Sequence, residues 1–302
     1  MKEKIKIGVV GPFSGPRSVY GQMLIEGVNR AKLNYADNIE WVYQDDKGDP
    51  NTIKDISKKM IESGVVAVIG HFNSACALKA IPFYSKAKIP FLVPASTNLE
   101  VTLNSEELVF RFCSNDLVQA ETVINFLKTK DIQTITAVSD ETFYGKSLAD
   151  LLYQSANSLF KEVTRIEDFN SENNKHSDAI FFAGTHFNSA TYLRELRMRG
   201  YKGIFIASDD SYVDEFIELA QDYSNDAFTI KAKEDYVETS FLAASYLLEC
   251  IESNVENLIN ELATGNSTIK FSSNGDRLGA SWIIAQVIDK SFVEVNYHKT
   301  FS

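Results

Sequence analysis

The sequence predicts an α/β fold of two doubly wound lobes, on three observations. Short apolar runs alternate with stretches of helical periodicity, the runs end in glycine, proline or small polar residues, and the whole alternation occurs twice in tandem. Strands separated by helices at this spacing pair in parallel through right-handed crossovers. Two such series give two lobes of like architecture.

The first series opens with the run 5–10, IKIGVV, stopped by GPFSGP. A helix over 22–35 follows, in which Leu24, Ile25, Val28, Ala31, Leu33 and Tyr35 recur at helical spacing. A strand over 39–43 ends in the polar turn 44–49. Pro50 then stands where the first turn of a helix tolerates it, and Ile53, Ile56, Met60 and Ile61 mark that helix's inner face. Residues 66–98 read as strand, turn, helix, strand, turn, and the series is organised around them. The run 66–69 is bounded by Gly70 and Ser74 opens the helix. The run 89–93 has prolines at 90 and 94, near its ends, where they do least harm to a ladder. In one parallel sheet, the carboxyl ends of these strands and the N-terminus of the helix between them face a single crevice, where open α/β sheets bind ligands. Ser74 and Thr97 then share a site.

The second series has helices over 116–129, 146–160, 190–199 and 213–220. Its strands lie over 132–138, 179–182, 204–207 and around 226–230. Residues 239–251 form a strongly apolar helix with another around 255–262, and 280–288 with 292–295 read as a hairpin-like pair. No low-complexity linker separates the lobes. Short crossings are therefore expected near Cys113, Lys231 and Asn274, which assigns 1–113 with 232–274 to an N-terminal lobe and 114–231 with 275–302 to a C-terminal one.

A chain of 302 residues suffices for two domains, each with its own core. The net charge of -11 opposes phosphate backbones and anionic membrane surfaces, so nucleic acid is not an expected partner. No window approaches the roughly 20 apolar residues of a membrane helix. The opening MKEKIKIGVVGPF has too short an apolar run for a signal peptide, which leaves a cytosolic protein or one whose leader has been removed. Cys76, Cys113 and Cys250 are widely spaced, without CxxC, and read as buried thiols. His71, His176, His186 and His298 lack metal-ligand spacing, so no metal and no cofactor is expected.

Catalytic signatures are missing. The glycines of GVVGPFSG do not make GxGxxG, and neither GxxxxGK[ST] nor GxSxG occurs. A Ser74/His71 pair reads more simply as a histidine hydrogen-bonded at a strand end. Taken singly, Ser74 is an N-cap, Thr97 a turn hydroxyl, Asp209 and Asp210 solvated loop charges or caps, and Tyr20 and Tyr144 rings packed over loops. A helix N-terminus at Ser74 is also an anion site.

Five segments carry a resemblance. They are IKIGVVGPFSGPRSVYGQMLIEGVNRAKLNY, the turn QDDKGDP, GHFNSACALKAIPFYSKAKIPFLVPASTN, VSDETFYGKSLADLL and NGDRLGASWIIAQVID. In this order they resemble the leucine/isoleucine/valine-binding family of type I periplasmic binding proteins, the solute receptors of ABC transporters. The GHxxS and PAxTN pieces are the most specific, and the likeness spans nearly the whole chain.

The resemblance implies two α/β lobes joined by three crossings that close on a small ligand, and a protein that is not an enzyme. By the same likeness, Ser74 and Thr97 hold the carboxylate and ammonium of an amino acid, with main-chain help at Ala95, and Ser96 is counted among the ligand-binding residues. Asp209 takes the ammonium, Tyr20 and Tyr144 wall the cleft, and Phe72 and Asn73 line the side-chain pocket. The implied ligand is a small amino acid, aliphatic or branched-chain. The implied partner is the membrane permease of an ABC transporter, and the implied location is periplasmic or extracytoplasmic. The chain departs from the family where a tyrosine of the second lobe aligns with Thr185. It departs again where a disulfide of some members aligns with Gly48 and Asn73. Two alternatives stand beside this reading: the sensor domain of a membrane receptor, coupled to a signalling module, and a binder of an amide, urea derivative or aromatic acid. An enzyme is a third.

Overall fold

A computed structural model of the chain describes residues 4–33, 38–103, 108–167, 177–264 and 269–297. Tyr35, His176 and His298 lie outside them. The first series runs β1 (Ile5–Gly11), α1 (Ser18–Lys32), β2 (Ile39–Asp45), α2 (Ile53–Glu62), β3 (Ala67–Gly70), α3 (Ser74–Lys86), β4 (Phe91–Val93), α4 (Glu100–Leu103) and β5 (Val109–Arg111). The second runs α5 (Asp116–Lys128), β6 (Thr134–Ser139), α6 (Phe143–Ala156), β7 (Glu162–Ile166), β8 (Ala179–Ala183), α7 (His186–Met198), β9 (Ile204–Ala207), α8 (Asp214–Ala220) and β10 (Phe228–Ala232). After α9 (Tyr236–Asn254) and α10 (Leu258–Thr264), the chain ends its described part with β11 (Trp282–Ile288) and β12 (Ser291–Glu294).

The chain divides into two units, Met1–Asn115 with Glu234–Ala280 and Asp116–Lys233 with Ser281–Ser302. Unit one holds a five-stranded sheet in the order β2-β1-β3-β4-β5, with every neighbouring pair parallel. Period-two alternation sends Ile7, Val9, Ala67 and Ile69 to one face, against Leu24 and Val28 of α1 and Ala243 and Leu247 of α9. Val10, Val68, Phe91 and Val93 face the other way, against Ile53 and Met60 of α2 and Ala77, Ala80 and Tyr84 of α3. Gly27 lets α1 and α9 meet backbone to backbone, since a Cβ there would stand 2.4 Å from the Val237 carbonyl.

Unit two has the order β12-β11-β10-β9-β8-β6-β7. Its parallel part, β7-β6-β8-β9-β10, repeats the winding of unit one, and β11 and β12 extend it as an antiparallel hairpin. In each sheet the winding reverses beside the first strand, between β1 and β3 and between β6 and β8. The carboxyl ends of those strands are the topological switch points, where open sheets of this kind place ligands.

The structure departs from the expected boundaries for local reasons. Pro50 lies in the turn ahead of α2, where the Thr52 N–H bonds the Asp49 carbonyl at 3.1 Å and the helix starts only at Ile53. Ser74 is the first helical residue of α3 rather than its cap. That position belongs to Asn73, with extended φ/ψ and no side-chain capping bond. α6 begins at Phe143 because Thr142 caps it, accepting the Gly145 N–H at 2.9 Å. β5 and β7 were not expected, since VFR and EVTRI carry charge where an apolar run would mark a strand. The changeover after β5 falls at 115/116, and the last falls at 280/281, because residues 272–277 are tied to unit one. The Arg111 N–H bonds the Gly275 carbonyl at 2.8 Å, and the Arg277 N–H bonds the Arg111 carbonyl at 2.9 Å.

Gly70 ends β3 at φ 136°, and a Cβ there would fall 1.9 Å from the Val10 carbonyl oxygen. Gly70→Ala is therefore expected to cost about 3 kcal/mol or more, a fall of roughly 6–12 °C in melting midpoint by calorimetry.

Candidate functional site

The switch point of unit one gathers the sequence-predicted residues 20, 72–74 and 95–97. Tyr20 and Phe72 stack with ring centroids 4.7 Å apart, and Tyr236 at the start of α9 meets Phe72 edge-on at 4.9 Å. With Ala95 these rings form a small apolar cluster apart from the main cores, partly covered by Met23. Tyr236 was not anticipated; its only sequence signal is an aromatic at the head of a helix.

The loops after β3 and β4 are locked together. Ser96 Oγ shares its proton between the carbonyls of His71 and Phe72, at 2.8 and 2.9 Å, which makes its hydroxyl a strut between the two loops. Behind them His71 is fully buried, its Nδ1 2.8 Å from Asp46 Oδ2 and its Nε2 3.2 Å from the Tyr84 hydroxyl. The histidine thus holds a strand end, the simpler of the two roles available to it.

Arg111 completes the support. Fully buried at the end of β5, it pairs through Nε with Asp276 at 2.7 Å, and its Nη2 meets Thr102 Oγ1 at 3.0 Å. Its Nη1 gathers the carbonyls of Ser96, Thr97 and Asn98 at 3.4, 3.1 and 2.5 Å. Carbonyl and N–H point opposite ways in a trans peptide, so the N–H groups that follow these carbonyls turn away from the guanidinium. Among the described residues, the N–H groups of Thr97, Asn98, Ser74 and Ala75 have no hydrogen-bond acceptor in the fold. Outward N–H groups from a loop and a helix start make a concavity for an anion. The sequence signal for Arg111 is a lone charge among the apolar residues of LVFRFC.

Asn73 Oδ1 is buried with no hydrogen-bond partner among the described residues. A Cβ on Gly48 would stand 3.0 Å from it, so the two positions are neighbours. Cys76, Cys113 and Cys250 are buried and form no disulfide.

In unit two, Tyr144 and Asp209 meet directly. The Tyr144 hydroxyl and Gln119 Nε2, the latter at 3.0 Å, both donate to Asp209 Oδ1. Burial raises the Tyr144 pKa well above its ordinary value, and the Asp209 charge adds to the shift, so the phenol keeps its proton and donates. Thr185 caps α7 without a side-chain bond, its N–H donating to Asp140 at 2.8 Å. Ser208, one residue before Asp209, exchanges hydrogen bonds with both main-chain groups of Gly184 at 3.2 and 3.0 Å, tying the ends of β8 and β9 together. Asp210 accepts the His186 N–H at 2.9 Å and lies 3.2 Å from His186 Nδ1, with Glu215 3.1 Å from Nε2. Among the described residues no His, Cys, Asp or Glu group is arranged to hold a metal, and no helix is long and apolar enough to cross a membrane.

A family model described as periplasmic binding protein matches residues 4–229. An amino acid binding protein of Pseudomonas aeruginosa is 28% identical over 239 residues, which cover 72% of this chain and 63% of that protein. The Leu/Ile/Val-binding protein homolog 1 of Brucella abortus is 27% identical over 238 residues, covering 72% of this chain and 64% of its own. The chain thus spans less than two thirds of the length of these relatives. The crystal structure of a leucine binding protein, LivK, from Thermotoga maritima superposes with a TM-score of 0.85 at 22% identity, over 97% of this chain and 98% of that one. At that identity the likeness is one of fold.

Arg111→Met is expected to leave the buried 96–98 carbonyls without their donor, costing about 1–3 kcal/mol by urea denaturation. The Asp210 hydrogen bond raises the pKa of His186 above its usual 6.5, against the effect of burial. A raised folded pKa stabilises the fold fully below the unfolded value and loses that contribution as pH climbs through the folded one. His186→Gln is therefore expected to lower the melting midpoint more at about pH 6 than at about pH 8.

Proposed function

The chain belongs to the periplasmic binding protein family, and from that premise we propose that it captures a small amino acid, aliphatic or branched-chain, for ABC-type import. The observation that carries this reading is a pair of receptors of opposite sign. Unit one offers outward N–H groups at Ser74, Ala75, Thr97 and Asn98 beside the hydroxyls of Ser74 and Thr97, which suits a carboxylate. Unit two offers Asp209, gripped by Tyr144 and Gln119, which suits an ammonium. An amino acid carries both of the charged groups that these receptors suit. The names of the Pseudomonas and Brucella relatives support the class of ligand, and the rings of Tyr20, Phe72 and Tyr236 supply an apolar wall for its tail.

Magnitudes allow it. Hydrogen bonds to charged groups contribute about 1.5–3 kcal/mol each, and micromolar affinity needs about 8 kcal/mol. A few such bonds with tail burial reach that figure after the cost of ordering the ligand. Capture without turnover, delivery to a membrane permease and an extracytoplasmic location belong to the same proposal.

One observation favours a second ligand class. The buried, unpartnered Oδ1 of Asn73 is an acceptor in want of a donor. An amide or urea derivative supplies one where an aliphatic tail does not.

A thermal-shift panel of amino acids, their amides and aromatic acids separates the two. A ligand at about 100 times its dissociation constant raises stability by about 2.7 kcal/mol. Leucine, isoleucine or valine is expected to give the largest shift; an amide or urea derivative doing so sinks the aliphatic reading. Asp209→Ala is expected to weaken binding of the best ligand by about 3–5 kcal/mol in calorimetry. Unchanged affinity removes Asp209 from the site.

A further inference from the structure

Asp209 opens a 3-10 turn, Asp209–Ser211, at the end of β9. So short an element leaves the side-chain rotamer to be set from outside. Gln119 does this from α5. It is fully buried, a costly place for a primary amide unless both ends are satisfied. Both ends go to one residue. Its Nε2 donates to Asp209 Oδ1 at 3.0 Å, and its Oε1 accepts the main-chain N–H of Asp209 at 3.3 Å.

These two bonds fix the amide's orientation, because reversing it would set donor against donor and acceptor against acceptor. They also fix the aspartate, whose backbone and carboxylate are held from a single rigid group. The Tyr144 hydroxyl, from the first turn of α6, donates to the same Oδ1. Two donors on one oxygen set the plane of the carboxylate.

We propose that Gln119 is a positioning residue for ligand binding: with Tyr144 it holds the Asp209 carboxylate in the orientation that receives the ligand's ammonium. The proposal rests on the zwitterion reading above. Without the clamp, the carboxylate samples several rotamers, and binding must select one of them. Gln119 touches no ligand in this scheme. It acts only through Asp209.

A double-mutant cycle tests this, with leucine as the probe and calorimetry as the readout. Gln119→Met keeps the volume and removes both bonds, and is expected to weaken leucine binding about tenfold. In an Asp209→Asn background, where the ammonium partner is already lost, the same substitution is expected to change leucine affinity less than about twofold. Leucine affinity within about twofold of wild type in Gln119→Met overturns the proposal, as does an equal loss in both backgrounds, the mark of a merely structural role. Should Gln119→Met fail to fold, Gln119→Asn keeps the amide but is one methylene too short to span both atoms, and the same outcomes apply. Wild-type protein that ignores leucine, or Asp209→Asn protein that binds it as wild type does, overturns the zwitterion reading and this proposal with it. A Gln119 failure alone leaves that reading standing.

Discussion

The guanidinium of Arg111 is the constraint on which unit one's candidate binding surface depends. A loop of free peptide groups after β4 has no intrinsic reason to point its N–H groups one way. Buried behind it, a cation gathers the carbonyls of residues 96–98 and so turns the opposite ends of those peptides outward. Asp276 balances the buried charge and brings the 272–277 segment into the same unit. A group buried behind the loop thus sets the electrostatic sign of the surface proposed to receive the ligand. Removing the guanidinium leaves three buried carbonyls without a donor, which is why so much rests on one side chain.

Unit two reaches the opposite sign by other means. Its parallel strands wind as those of unit one do, and its candidate residues stand at the matching strand ends. The charge there comes from a side chain, Asp209, and the ordering comes from side chains too, Gln119 and Tyr144. Buried polar groups with every bond satisfied rigidify a site, whereas half-satisfied ones destabilise it. The two units show both ways of building a directed polar surface at a sheet's switch point, one from peptide groups and one from a carboxylate.

Much of this was legible in the sequence. Apolar runs and helical spacing located β1, β3, β4, β8 and β9 because those strands are buried on both faces and carry little polarity. The strands that escaped, β5 and β7, contain arginines whose partners are distant in sequence, Asp276 for Arg111 and Asp150 for Arg165. Gln119 escaped for the same reason. It follows Asp116 at helical spacing on the buried face of α5, but a glutamine in an amphipathic helix reads as surface until its partner, ninety residues on, is seen. That the Ser96 hydroxyl is a strut between the two loops is likewise not legible in the sequence, since both carbonyls it bonds lie on the other loop.

The pentapeptide HFNSA marks the boundary between what the sequence determined and what only the tertiary structure decided. It occurs at 71–75 and again at 186–190, each time just after a strand ending in a small residue. Sequence alone determined that much: a strand, a turn and a helix start at both places. The structures of the two copies differ. At 71–73 the chain is non-helical and α3 starts at Ser74, with His71 buried on Asp46 and Phe72 stacked on Tyr20. At 186 the helix has already begun, with Phe187 58% exposed and His186 held by Asp210 and Glu215. Identical local propensities give different conformations because the carboxylates that claim each histidine come from elsewhere. Asp46 draws the first ring inward under the sheet, while Asp210 takes both the N–H and the ring of the second and fixes it in a helical first turn, where a negative partner is favoured.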